Sequence, residues 1–343
     1  MELHFTRTNG PVDDSIEQLM DLVGGIQQPA IVREMVLAAL KAGQENVERV
    51  DLKLMNSTLK EMRFTAKVFG PYHGVRKVTV FGSARTRPDE AIYKMAGELG
   101  RKLAGAGYMV ITGGGPGIMQ AVNEGAGSEH SFGINIRLPF EQKANPVVDG
   151  NPRSITYKYF FNRKVAFLKE SDAVALFPGG FGTFDEAMET LTLVQTGKRA
   201  PLPMILLDSP GGTYWTSWVH FIEKELFSRG YISETDFDLF EVVDSADAAI
   251  KSISRFYHRY HSMRYVGDQL VIRLSSEIPQ GEVAALKQRF SDMLRPGGDL
   301  RLSEPLSEEA DESEIAHFPR LVADFNRQDF GRLRKLIDAL NGV

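Results

Sequence analysis

A chain of 343 residues and 38.2 kDa is longer than one hydrophobic core ordinarily serves, so a main domain with sizeable additions, or two domains, is expected. Its 43% hydrophobic and 25% charged residues are those of an ordinary folded protein, and the absence of cysteine excludes disulfides, thiolate metal sites and thiol nucleophiles. A formal net charge of −5 and a pI near 5.9 supply no basic field for nucleic acid, so any anionic ligand must be held by local groups.

The opening stretch MELHFTRTNGPVDD lacks the basic, then apolar, then small-residue order of a signal peptide, and no apolar run approaches the roughly 20 residues that span a bilayer. A soluble, cytoplasmic protein without membrane contact is therefore expected. After Pro29, apolar residues at Val32, Val36, Ala39, Leu40, Val47, Val50 and Leu54 recur at roughly helical spacing with no proline until Pro71. One or two long helices follow, with an apolar stripe that must bury against the main domain or a second subunit.

From Lys77 the pattern becomes short β-rich runs alternating with helical ones. KVTVFG, YMVIT, FGINIRL, SITYKYF, AVALF, MILLD and FEVVD read as strands. Helices are predicted between them: from after Pro88 to near Gly105, from Pro116 to about Glu124, and around Asn162 to Glu170. Further helices start in PGGFG, pass through Trp215 and Phe221, and follow FEVVD. Apolar strands alternating with helices predict a doubly wound, Rossmann-like α/β domain with a parallel sheet.

From Gly267 the order is strand (DQLVIRL), helix (QGEVAALKQRFSDML), strand (DLRLSEPL), an acidic loop SEEADESE that reads as solvated, and a helix (FGRLRKLIDAL). The expected organisation is an N-terminal helical extension over residues 1–70, the Rossmann-like domain over 71–262 and a small α+β appendix over 263–343. His258 and His261 stand three apart on a predicted helix, but with no cysteine and no acidic partner in it, no metal site is expected there.

Two strand-to-helix junctions are glycine-rich. TGGGPGIMQAV follows the second strand, with Pro116 at a position where a first-turn proline is tolerated, and PGGFGTFDEAMETL follows AVALF. Such junctions aim free N–H groups and a partial positive charge above the sheet edge. FGSART after the first strand adds Gly82 and Ser83 at that edge, where ligands bind in open parallel sheets. Neither the dinucleotide fingerprint nor the triphosphate P-loop is completed. A helix start is worth only about 0.3–1 kcal/mol per exposed charge, so hydroxyls and cations must help, and Thr183 and Arg163 are the candidates.

Glu186 reads in two ways. Thr183-Phe184-Asp185-Glu186 has the spacing of a capping box, in which threonine caps a helix and the acid three residues later bonds back. The same acid is otherwise free for chemistry at the loop. Upstream, FNRKVAFLKESD carries the pair Arg163 and Lys164, with Val165, Phe167 and Leu168 as the expected buried face.

With P-G-G-x-G-T-x-x-E satisfied in full by residues 178–186, an Arg-Lys pair on the preceding helix, and the stretches TGGGPGIMQAVNEGA and GINIRLPFEQKANP, the chain resembles the Lonely-guy (LOG) family over roughly residues 77–245. It is similar to long bacterial members; Pro116 stands where plant-type members have a serine and an extra residue. The resemblance implies hydrolysis of the N-glycosidic bond of nucleoside 5′-monophosphates, purines and AMP first or a cytokinin riboside monophosphate, to free base and ribose 5-phosphate.

By the family pattern Arg163 and Glu186 are catalytic. Gly82, Ser83, Gly113, Gly114, Gly115, Gly117, Met119, Lys164, Gly179, Gly180, Gly182 and Thr183 hold the substrate. No metal and no cofactor are called for, and a homo-oligomer, dimer or higher, is implied. An older family label, possible lysine decarboxylase, would need a pyridoxal phosphate lysine, for which the sequence offers no setting. A non-catalytic nucleotide carrier on the same fold is the alternative. DNA binding would rest on Arg153, Lys158, Arg163, Lys164 and Lys169 against the negative net charge, and is not expected.

Overall fold

The computed structural model describes residues 5–45, 48–139, 143–310 and 312–342. The chain divides into two compact units, Met1–Phe64 and Thr65–Val343.

The first unit is helical: α1 (Pro11–Val23), α2 (Pro29–Glu45) and the larger part of α3 (Arg49–Phe69). The sequence pattern anticipated α2 and α3 but not α1. A buried ion pair, Arg33 Nη1 to Asp13 Oδ1 at 2.8 Å, ties α1 to α2, and Arg33 also donates to the Phe5 carbonyl. The expected apolar stripe is not a buried one. Leu37 faces inward, whereas Leu40 and Val50 are exposed; Val47 lies outside the described residues.

In the second unit the Rossmann-like expectation is met. Seven strands run parallel: β1 (Lys77–Phe81), β2 (Met109–Thr112), β3 (Ser131–Ile136), β4 (Ser154–Tyr157), β5 (Ala173–Leu176), β6 (Met204–Leu207) and β7 (Glu241–Val243). Their order is β4-β3-β2-β1-β5-β6-β7, so the winding reverses between β1 and β5. Both faces are covered by helices: α4 (Ala91–Gly105), α5 (Ile118–Ala126), α6 (Phe160–Lys169), α7 (Phe181–Gln195), α8 (Tyr214–Phe221) and α9 (Ala246–Phe256). Strands buried on both sides explain the continuous apolar runs, with β1, β2, β5 and β6 buried along their whole length.

Two apolar clusters flank the sheet. One gathers Phe81, Ile111, Phe132, Phe167, Leu176 and Trp215; the other gathers Val80, Leu99, Val110, Ile118, Ala175 and Ile253. The buried face of α6 includes Ala166, Phe167 and Leu168, but Val165 is 46% exposed, because it points away from the sheet on the side of Phe161.

A four-stranded antiparallel sheet follows, in the order β10-β11-β9-β8. It comprises β8 (Tyr260–Val266), β9 (Gln269–Leu274), β10 (Leu300–Ser303) and β11 (Arg320–Ala323), with α10 (Gln280–Arg289) and α11 (Phe330–Leu340). Strands β8 and β11 were not anticipated. His258 falls beyond the end of α9 and His261 on β8, so the two share no helix.

The acidic segment departs from the solvated loop expected of it. Glu309 is 3% exposed and accepts hydrogen bonds from Arg273 Nε at 2.9 Å and Arg320 Nε at 3.3 Å, while Glu312 pairs with Arg264 and Arg273. Burial works to raise the Glu309 pKa, but the hydrogen bonds from Arg273, the Leu306 N–H and Arg320 hold it below the usual carboxylate value.

Candidate active site

At the carboxyl ends of β1 and β5 the two following loops meet, and the Ser83 N–H donates to the Pro178 carbonyl at 3.1 Å. This is the reversal point of the sheet, where the diverging helices leave a crevice. A cavity of about 960 Å³ opens there, lined among others by Gly82, Ser83, Gly113, Met119, Arg163, Gly179, Gly180, Gly182, Thr183 and Glu186. A second of about 850 Å³ adjoins it on the β3 side, shares Gly113, Met119, Phe160 and Arg163, and adds Gly115, Asn135, Arg137 and Ser154. Gly114, Gly117 and Lys164 line neither cavity.

Each predicted loop is packed tightly for a physical reason. A Cβ on Gly82 would come within 2.7 Å of the Ile118 side chain, and one on Gly179 would overlap the Thr183 hydroxyl. The Tyr214 hydroxyl pins this second loop by donating to the Gly179 carbonyl at 2.6 Å. On the first loop, Asn145 donates from its backbone N–H to Gly114 O at 2.8 Å and from Nδ2 to Gly115 O at 3.1 Å. Asn123 braces Asn145 and Thr112 in turn. Asn123, Asn145 and Tyr214 escaped the sequence reading, since nothing local marks an asparagine or tyrosine as a loop anchor.

The two glycine junctions are not equivalent. Pro116 was expected in the first turn of α5, but the helix starts at Ile118 with Gly117 as N-cap at φ 68°, so Pro116 lies outside it. The Ile118 N–H is taken by the Ser83 carbonyl at 3.0 Å, and that helix end is partly closed to a ligand. At α7 the N-cap is Gly180, with Phe181 and Gly182 as the first helical residues, all three exposed. Their N–H groups have no intrahelical acceptor.

This start displaces the capping-box reading. Thr183 is the third residue inside α7 and Glu186 the sixth, so threonine is not the cap and the acid stands a turn too far along to bond back. Gly180, with no side chain, makes the reciprocal box impossible. Glu186 is instead 7% exposed, and its Oε2 is buried with no hydrogen-bond partner among the described residues. Burial pushes its pKa up to about 7, against the lowering influence of Lys164 and Arg163.

Arg163 stands in the first turn of α6. Its Nε donates to the Ile134 carbonyl within β3 at 2.8 Å, and its guanidinium lies 4.9 Å from the Phe167 ring centroid. A Cβ on Gly113 would sit 2.5 Å from Arg163 Nη2, so glycine there admits the guanidinium against the first loop. Burial lowers the Arg163 pKa to about 10, partly offset by Glu186 and Tyr157, and leaves it charged at neutral pH. The ammonium of Lys164 pairs with Asp185 at 2.9 Å and with Glu189, joining α6 to α7 on either side of Glu186. Within the basic run, Arg153 is also committed, donating to Ser128 O and the Tyr72 hydroxyl.

Comparison with known proteins follows the same residues. A family profile described as Possible lysine decarboxylase matches residues 119–253. Among similar curated proteins, the cytokinin riboside 5′-monophosphate phosphoribohydrolase LOG3 of Arabidopsis thaliana is 27% identical, over 53% of this chain and 83% of its own. The phosphoribohydrolase LOG of Oryza sativa subsp. japonica is 28% identical, over 61% of this chain and 76% of its own. Among solved structures, a molybdenum cofactor carrier protein from Chlamydomonas reinhardtii is 22% identical with a TM-score of 0.38, covering 53% of this chain and 97% of that one. With the whole P-G-G-x-G-T-x-x-E stretch lining one crevice, the central α/β domain is similar to the Lonely-guy family of these relatives.

Proposed function

We propose that the protein hydrolyses the N-glycosidic bond of purine nucleoside 5′-monophosphates, AMP first, to free base and ribose 5-phosphate. The observation that carries this reading is Glu186: a buried carboxyl with one oxygen unbonded and a pKa near 7, in the crevice that also holds Arg163. A group poised near neutrality is suited to accept a proton from water.

The 5′-phosphate binds the open start of α7, where Phe181, Gly182 and Thr183 line the cavity, with Arg163 supplying charge. Ionised Glu186 stabilises the oxocarbenium-like ribose and takes a proton from the attacking water. The C1′–N bond breaks, a C1′–O bond forms, and the proton passes on to the departing base. Self-association is part of the proposal, supported by exposed apolar side chains on the N-terminal helices such as Leu22, Val23, Ile31 and Val50. Light scattering at micromolar concentration should give a multiple of 38.2 kDa, and a monomeric mass would remove this part.

The enzymatic test is release of free base from a panel of monophosphates across pH. We expect turnover of at least one purine nucleotide, with kcat/KM rising through an apparent pKa near 7, and a loss of about 10²–10⁴-fold in Glu186→Gln. Saturable binding with intact nucleotide recovered, and no difference between the two proteins, would replace hydrolysis by a carrier role.

A further inference from the structure

Helices α6 and α7 bear Arg163 and Glu186 near their starts and run back across the sheet to its opposite edge. The segments that follow them, Ser171-Asp172 and Arg199 to Leu202, meet Arg76, Tyr257 and the first residues of β8 there, around a cavity of about 320 Å³. None of these segments belongs to the crevice described above.

The charges around this cavity do not balance. Arg199 donates from Nη2 to the Ser171 carbonyl, its Nε is buried without a hydrogen-bond partner, and no carboxylate lies within ion-pair distance of it among the described residues. Arg199 is only partly exposed, and burial lowers its pKa despite the opposing influence of Tyr257, Asp172, Tyr260 and Glu170. Arg76 lies 3.6 Å over the Tyr257 ring and only 3.8 Å from Asp172 Oδ1. The Asp172 carboxylate is already engaged, its Oδ2 accepting the Lys77 N–H at 2.8 Å. His261, on the same wall, has its pKa lowered by burial and then by the cations Arg76 and Arg273 and by His317, against the opposing influence of Asp172.

We propose that this cavity is a second ligand site, for the phosphate group of a small molecule, with Arg199 and Arg76 as the anion-binding pair. Planar guanidinium groups suit phosphate oxygens, and the volume and the aromatic walls of Tyr257 and His261 admit a phosphate with a ring attached. An anion bound there contacts the segments following both helices that carry the crevice residues.

The test uses the full chain with ring-labelled histidine. The His261 signal, identified by its loss in His261→Gln, is followed during titration with inorganic phosphate and, separately, phenyl phosphate, with chloride holding ionic strength constant. A saturable shift is expected in the wild type and equally in Thr183→Val, which alters only the crevice, with binding about tenfold or more weaker in Arg199→Gln. Tighter binding of phenyl phosphate identifies an esterified phosphate as the ligand class, and equal binding identifies the free ion. If Arg199→Gln does not fold, Arg76→Gln, at a side chain 30% exposed, takes its place with the same expectation. No saturable shift up to millimolar concentrations, or shifts unchanged in the arginine variant, would overturn the proposal.

Discussion

Glu186 is held in a protein environment that disfavours its charge, and this has a consequence for stability as well as for chemistry. Its carboxyl ionises at an ordinary 4.5 in the unfolded chain and near 7 in the folded one. Between those values the folded state holds the extra proton, so stability falls as pH rises through the window, by about 3 kcal/mol at its upper end. Glu186→Gln removes the ionisation. Thermal melts should show the variant several degrees more stable than the wild type at pH 8, with the gap closing toward pH 4.5. A gap that does not change with pH would show that the carboxyl is not held near 7. The P-G-G-x-G-T-x-x-E spelling made this residue conspicuous, but its freedom from capping depends on α7 starting at Gly180 rather than Thr183. That choice follows from how the loop packs against Gly82 and Tyr214, both far away in sequence.

At the scale of elements, the seat of α5 governs the first glycine loop, because the helix leads directly out of it. Helices α4 and α5 pack through glycines with their backbones in contact: a Cβ on Gly125 would overlap the Gly97 carbonyl, and one on Gly100 the Val122 carbonyl. Backbone cannot yield as a side-chain tip can. Gly125→Ala should therefore lower stability by about 1–3 kcal/mol or more, read as a lower urea midpoint. Gly105→Ala, at the open end of α4 with nothing within 4 Å, should be neutral or stabilising. Equal midpoints for the two variants would refute the close approach. Most helices and the seven parallel strands were legible because apolar periodicity is local. Strands β8 and β11 were not, since YHSMRYV and RLVA mix polar and charged residues whose partners lie on other strands.

The largest scale adds the C-terminal sheet, whose interior contains ions. Glu309 binds Arg273 of β9 and Arg320 of β11 in a buried triad, and removing the carboxylate would leave Arg320 without an acidic partner and Arg273 with Glu312 alone, among the described residues. Glu309→Gln should weaken this sheet by about 3–5 kcal/mol. Hydrogen exchange at β9 and β11 amides checks this: faster exchange is expected there, while β1 and β5 keep their protection. Unaltered exchange at β9 and β11 would mean that the triad does not hold the sheet. What the amino-acid sequence determined by itself was the alternation that builds a doubly wound α/β domain and the motif residues that come to line its crevice, because periodicity and glycine placement act over a few residues. Only the tertiary structure decided that an acidic loop is half buried, that Lys164 joins two helices, that Asn145 and Tyr214 hold the loops, and that Glu186 titrates near neutrality. Burial and ion pairing depend on which distant segments meet, and local sequence does not record them.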